Sequence, residues 1–217
     1  MSEKFESVPF RFFYSMKKSL VFVWLTLLLL CIGSLFWYNE WVYNLPTAIP
    51  DNYRPVAFGT KIDNRLVTQT NNNILFLHFF NPDCPCSRFN MRYFKSLVSN
   101  FEGRVNFAIV VLNNKKYSAQ QIQHKYDLQI PVYFDSTIAA NCGVYSTPQA
   151  AIIDKNGELY YRGNYNRTRY CSDKKTNYAE IALQALLSNR TPIQFSPLAL
   201  KAYGCSLPNC TQLQNDE

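Results

Sequence analysis

Two cysteines one residue apart stand in the segment Asp83-Cys84-Pro85-Cys86-Ser87, just after the apolar run ILFLHFF at 74–80. Thiols at such spacing can exchange with disulfides, where the thiolate is the attacking species, or hold a soft metal. Beyond them Phe89, Tyr93, Phe94, Leu97, Val98 and Phe101 recur at helical spacing, which predicts a helix over about 85–100. Cys84 then takes the N-cap, and Pro85 suits the first helical position, where an N–H would have no partner anyway. Unpaired N–H groups and the positive end of the helix dipole would face the Cys84 sulfur and favour its thiolate. Arg88 would assist ionisation and Asp83 would oppose it, and spacing alone does not rank the two. The position one turn on, which shares a helix face with Cys84, is Ser87. Cys86 lies only two residues away, so a Cys84–Cys86 bridge requires the first turn to unwind. The partner of Cys84 is therefore open between Cys86, another cysteine and an external thiol, with Cys86 the leading candidate.

The compartment follows from the N-terminus. Ser19 to Tyr38 reads SLVFVWLTLLLLCIGSLFWY, without a charge, and twenty such residues as a helix cover roughly 30 Å, the thickness of a bilayer's hydrocarbon core. Lys4, Arg11, Lys17 and Lys18 precede the run, while Glu40 and Asp51 are the first charges after it. The positive-inside tendency keeps the N-terminus in the cytoplasm and sends the remainder across. No small-x-small exit follows the run, as a cleavable signal would need. The expected organisation is a cytoplasmic N-terminus at 1–18, a transmembrane anchor at 19–38, a linker at 39–55, one domain at 56–190 and a cysteine-containing tail at 191–217. Six cysteines lie past the anchor, a number compatible with disulfides in an exported domain. The chain of 217 residues carries a net charge of +7, but its basic residues are scattered singly or in pairs. Without a basic stripe a nucleic-acid partner is not expected.

The elements that must position the cysteines are legible as alternating patterns. Val56–Phe58 and Leu66–Thr68 are candidate short strands. The 74–80 run, continuously apolar between Asn71-Asn72-Asn73 and Asn81-Pro82, predicts a central strand buried on both faces. A second buried strand is expected over Val105–Leu112, a short helix over Ser118–Tyr126, and strands over Pro131–Phe134 and Gln149–Asp154. Asn156-Gly157 predicts a tight hairpin turn into Glu158–Arg162. Asp173 reads as the N-cap of a helix through Leu187, and the tail shows little periodicity. A crossover unit feeding an antiparallel hairpin and a closing helix makes an α/β sandwich with a mixed central sheet.

The segment Phe79-Phe80-Asn81-Pro82-Asp83-Cys84-Pro85-Cys86-Ser87, together with Tyr145-Ser146-Thr147-Pro148-Gln149-Ala150-Ala151-Ile152-Ile153-Asp154 and the Asn156-Gly157 hairpin, resembles the thioredoxin-fold superfamily. The likeness is to its membrane-anchored redoxin branch (TlpA-like and peroxiredoxin-like), over about residues 56–190. It implies a thioredoxin-like three-layer sandwich, Cys84 as nucleophile, Ser87 at the place of the usual resolving cysteine, and a cis Thr147-Pro148 bond beside the nucleophile. It further implies that Thr147, Pro148, Pro85 and Ser87 shape a substrate groove where an extended peptide pairs as an added strand. The implied activity is thiol–disulfide exchange on exported proteins, with a membrane or periplasmic electron donor and no cofactor, since the thiols carry the electrons. The implied place is the bacterial inner membrane, with the domain in the periplasm.

In the resembled fold the loops bearing Cys142 and Cys171 come near the active-site end of the sheet, which favours a structural Cys142–Cys171 disulfide over a resolving role. Cys205 and Cys210 bracket Ser-Leu-Pro-Asn, and a small-loop disulfide between them is the simplest reading. Two other functions use the same features. Cys84 and Cys86 with a histidine would suit copper delivery, but His78 lies inside the 74–80 strand, where core packing is the ordinary role, and His124 lies in a different helix; no metal site is expected. A redox-inert module docking clients at Pro148 is the other. Peroxide reduction ranks low because Asn81 stands where peroxiredoxins place a hydroxyl.

Overall fold

The computed structural model describes residues 10–62, 73–113, 117–168, 170–190 and 194–207. The chain divides into two units, Met1–Leu45 and Pro46–Glu217. Among the described residues of the first lies one long helix, α1 (Phe10–Asn44). Its Lys18–Tyr38 stretch has a mean hydropathy of 2.4 and is nowhere buried, with Leu20, Phe22, Leu29, Phe36 and Trp37 all exposed. By length and composition this stretch suffices to cross a membrane.

The second unit is built on strands β1 (Leu75–Phe80), β2 (Asn106–Val111), β3 (Val132–Tyr133), β5 (Gln149–Ile153) and β6 (Leu159–Gly163), ordered β3-β2-β1-β5-β6. β1 runs parallel to β2 and antiparallel to β5, β2 runs parallel to β3, and β6 closes antiparallel on β5. A second, two-stranded sheet joins β4 (Ser146–Thr147) to β7 (Cys205–Ser206). β1 is central and wholly buried because both of its faces are covered. Successive side chains alternate, so Phe76 and Phe80 meet one apolar cluster and Leu75, Leu77 and Phe79 the other. The first cluster takes Met91, Phe94 and Leu97 from α2 (Pro85–Asn100), Ile122 from α3 (Ala119–Tyr126) and Ala179, Ala182 and Leu183 from α5 (Tyr178–Leu187). The second takes Ile138 and Ala139 from α4 (Ser136–Asn141), with Ile62 and Val144. Helices therefore cover both faces of a mixed sheet, the expected thioredoxin-like three-layer sandwich.

Local signals act where expected. Ser118 closes a capping box with Gln121 at the start of α3. In the β5–β6 turn Asp154 Oδ1 accepts the N–H groups of Asn156 and Glu158, each at 2.9 Å, and Gly157 takes φ +82°, which a residue without Cβ adopts at no steric cost. Two expectations change, one falls outside the described residues, and one helix appears that no expectation covered. Val56–Phe58 is not a strand; Gly59 N–H donates to Leu159 O and Ile62 N–H to Gly157 O, so this stretch lies along β6 through separate bonds and a single Lys61–Glu158 bridge. Leu66–Thr68 lies outside the described residues. Asp173 caps a short 3-10 turn, Lys174–Thr176, ahead of α5. The six-residue α4, capped by Asp135, is too short to show a period.

The tail also differs. It forms a short helix, α6 (Pro197–Leu200), and buries Ala199 and Ala202 in the domain. Asn164 Nδ2 donates to Leu198 O and Lys201 O at 2.8 and 2.6 Å, Asn164 N–H donates to Ala199 O at 2.8 Å, and Thr47 N–H donates to Ala202 O at 2.9 Å. The docking uses small side chains and backbone groups, which leave no hydrophobic period to read.

His78 sits in β1, stacked on Phe94 at 4.3 Å between ring centroids, with Nδ1 2.7 Å from the Tyr165 hydroxyl. Complete burial lowers its pKa to about 3, so the folded ring stays neutral while the unfolded ring takes a proton below about 6.5. Stability is thus full above that value and falls as pH drops toward 3, by up to about 1.4 kcal/mol per pH unit. The expected result, read from urea midpoints of the full chain between pH 7 and 4, is a one-proton slope that disappears in His78→Gln.

Candidate active site

The turn between β1 and α2 is fixed by its own polar groups. Cys84 N–H donates to Asn81 O at 3.1 Å, while Asn81 Oδ1 accepts from Asp83 N–H at 3.0 Å and Asn113 Nδ2 at 2.6 Å. The Asp83 carboxylate takes bonds from Asn113 Nδ2 at 3.0 Å and the Tyr117 hydroxyl at 2.8 Å. These donors tie the acid of the motif to the segment after β2. Ser87, at the place of the usual resolving cysteine, is fully buried and accepts the Asn81 N–H at 3.3 Å. Its hydroxyl thus braces the turn, a use that a thiol would serve poorly because sulfur is a weak acceptor.

Cys84 is the N-cap of α2, in extended backbone, with Pro85 in the first turn. Arg88 N–H donates to Cys84 O at 3.2 Å as the helix begins. The Cys84 side chain accepts no capping bond; its sulfur instead forms a disulfide with Cys205, across a sequence separation of 121 residues. The Cys84 sulfur also lies 4.0 Å from Thr147 O, and the Thr147-Pro148 bond is cis. Cys84, the cis-proline loop and the tail therefore converge at one point. Cys86 is buried, keeps its thiol, and lies with its sulfur within 4.8 Å of those of Cys84 and Cys205.

The partner of Cys84 is thus Cys205 and not Cys86, and the expected Cys205–Cys210 bridge is replaced; Cys210 itself lies outside the described residues. The expected Cys142–Cys171 disulfide is absent as well. Cys142 ends α4 within the second apolar cluster, whereas Cys171 packs against the first, so the sheet stands between them. Burial pushes each thiol up to about 12, and Cys171 Sγ takes a bond from Asn90 Nδ2 at 3.1 Å. His78 and His124 belong to no cysteine cluster among the described residues.

Sequence spacing pairs Cys205 with Cys210 and gives Gly204 no role, whereas the structure sets Cys205 on Cys84. The pertinent signal was a glycine directly before a cysteine, which permits close passage of one backbone past another. Beside the tail a cleft of about 830 Å³ opens, lined in part by Tyr53, Val56, Tyr145 and Leu207.

Because a thiol held near 12 remains protonated at neutral pH, and only the thiolate reacts readily, the buried Cys142 and the half-buried Cys171 are expected to resist iodoacetamide at pH 7.5 until the chain is denatured. Peptide mapping by mass spectrometry after reduction would show label on Cys84 and Cys205 before Cys142 and Cys171. Native labelling of Cys142 or Cys171 at the rate of an exposed thiol would contradict the burial argument.

The fold recurs in solved structures. A hypothetical protein from Sinorhizobium meliloti is 15% identical with a TM-score of 0.59, over 71% of this chain and 96% of that one. An uncharacterised conserved protein from Geobacillus kaustophilus is 21% identical with a TM-score of 0.56, over 74% and 91%. A secreted disulfide oxidoreductase from Mycobacterium tuberculosis is 15% identical with a TM-score of 0.42, over 56% and 85%. No curated protein matches the sequence. Residues 57–208, from the linker's end to just past the Cys84 partner, match the model of a family described as a domain of unknown function, and the chain belongs to that family, DUF6436.

Proposed function

We propose that this protein is a membrane-anchored thiol–disulfide oxidoreductase that exchanges or reduces disulfides of exported proteins through Cys84. The observation that carries the reading is the Cys84–Cys205 disulfide at the start of α2, beside the cis Thr147-Pro148 bond. A sulfur at a helix N-terminus faces unpaired N–H groups that stabilise its anion, both as attacking and as leaving group. Thr147, Pro148, Pro85 and Ser87 surround it as groove and support. The apolar helix would hold the chain in a bacterial inner membrane, its basic N-terminal flank on the cytoplasmic side and the domain in the periplasm. The partners would be protein thiols and disulfides, together with a membrane or periplasmic electron donor.

Reduction of insulin disulfides by the full chain, driven by dithiothreitol, tests the reading. Cys84→Ser is expected to bring the rate down to that of dithiothreitol alone. Undiminished activity in that variant would exclude exchange at Cys84 and favour a redox-inert docking module.

One observation favours a second reading. The sulfurs of Cys84, Cys86 and Cys205 all lie within 4.8 Å of one another, and three thiolates once reduced suit a soft cation such as Cu(I). Copper delivery would then use Cys205 in place of the histidine expected from sequence. Competition of the reduced chain against a Cu(I) chelator is expected to show binding that each single Cys→Ser substitution weakens; no binding above the Cys84→Ser background would remove this reading.

A further inference from the structure

Cys205 reaches Cys84 from an extended segment, and that segment is paired. β7 runs antiparallel to β4, with Ser206 opposite Ser146 and Cys205 opposite Thr147. Thr147 thereby sets both partners: its backbone faces Cys205 across the ladder, and its carbonyl lies 4.0 Å from the Cys84 sulfur. Cys84 is only 3% exposed with the tail in place. Any other polypeptide offering a sulfur to Cys84 from an extended segment meets the same backbone edge, which β7 occupies.

The tail is built for this position. Gly204 has φ +150°, and a Cβ there would collide with the Thr147 carbonyl, so a glycine is what lets the strand pass the cis-proline loop. Upstream the tail is pinned, with Ala199 and Ala202 buried, Asn164 holding two carbonyls and Thr47 Oγ1 donating to Gly204 O at 3.1 Å. Downstream the ladder is two residues long, Cys205 and Leu207 are half-buried and Ser206 is exposed. A firmly held base thus carries a short strand whose strongest tie is the disulfide itself.

We propose that Gly204–Leu207 is a built-in, substrate-like strand and that Cys205 is the resolving cysteine of the reaction at Cys84; this rests on the exchange reading above. In the reduced protein the Cys84 thiolate attacks one sulfur of a client disulfide. The Cys84–client bond forms, the client S–S bond breaks, and the other client sulfur leaves as a thiolate that takes a proton from water. Cys205, having lost its proton to solvent, attacks the Cys84 sulfur. The Cys84–Cys205 bond forms, the Cys84–client bond breaks, and the second client sulfur leaves and is protonated. The client gains two electrons, the Cys84–Cys205 pair loses two, and an external dithiol restores them. Client and tail share one edge, so the strand lifts to admit the client and returns to expel it.

The probe is dithiobis(nitrobenzoate), mixed with reduced full chain in detergent and followed by thionitrobenzoate release and intact mass. The unsubstituted chain is expected to release both halves of each reagent molecule and end with Cys84–Cys205 joined. Cys205→Ser and Cys205→Ala are expected to release one half and retain the other on Cys84, whereas Cys86→Ser clears it. Clearance at the unsubstituted rate in both Cys205 variants, or retention in Cys86→Ser instead, would overturn the assignment. Uptake by Cys84→Ser equal to that of the unsubstituted chain would instead bring down the exchange reading itself. For the strand, Cys84 in Cys205→Ser is expected to react with a polymer-linked maleimide about tenfold more slowly than in Cys205→Ser combined with Gly204→Val, which breaks the pairing. Equal rates would show that the tail does not cover the nucleophile.

Discussion

The antiparallel contact between Ser146-Thr147 and Cys205-Ser206 is the constraint on which the site depends. It brings a residue from the far end of the domain opposite the cis-proline loop and leaves its sulfur within bonding reach of the helix start. Along its own helix the next thiol is Cys86, only two residues on, where helical side chains do not face each other. Backbone pairing here brings Cys84 a sulfur partner, Cys205, that its own helix does not place opposite it.

The surrounding polar bonds serve the same end. Asn81 is the hub: its carbonyl holds the Cys84 N–H, its N–H is taken by Ser87, and its side chain links Asp83 to Asn113. Asn81 and Ser87 are buried, and a buried polar group is costly to leave unpaired, so these bonds specify one geometry for the turn. The Asp83 charge, which spacing alone set against Cys84 ionisation, is engaged by Tyr117 and Asn113. Ser87 gains a structural meaning from the same network, as a hydroxyl acceptor beneath the turn.

What could be read beforehand was local. The buried run of β1, the N-cap position of Cys84, the proline at the next residue, the capping box of α3 and the Asn156-Gly157 hairpin all follow from neighbours a few residues apart. The cis Thr147-Pro148 bond came through resemblance and not from composition. Long-range facts were hidden. Nothing in the spacing of Cys142 and Cys171 says that one belongs to each face of the sheet, and nothing in a two-residue strand distinguishes β7 from a loop. The tail misled because Ala199, Ala202 and Gly204 dock through closeness of backbone, for which hydrophobic patterning has no sign.

The disulfide also turns most of the domain into a covalent ring. From Cys84 to Cys205 the loop so closed contains α2, β2, β3, the cis-proline segment, the hairpin and α5, while the central strand β1 precedes it in the chain. A protease that nicks any surface turn within this circle leaves two pieces still fastened to each other, and they separate only after a reductant has opened the bond. Oxidation state thereby decides whether such a cut releases a fragment or leaves it tethered.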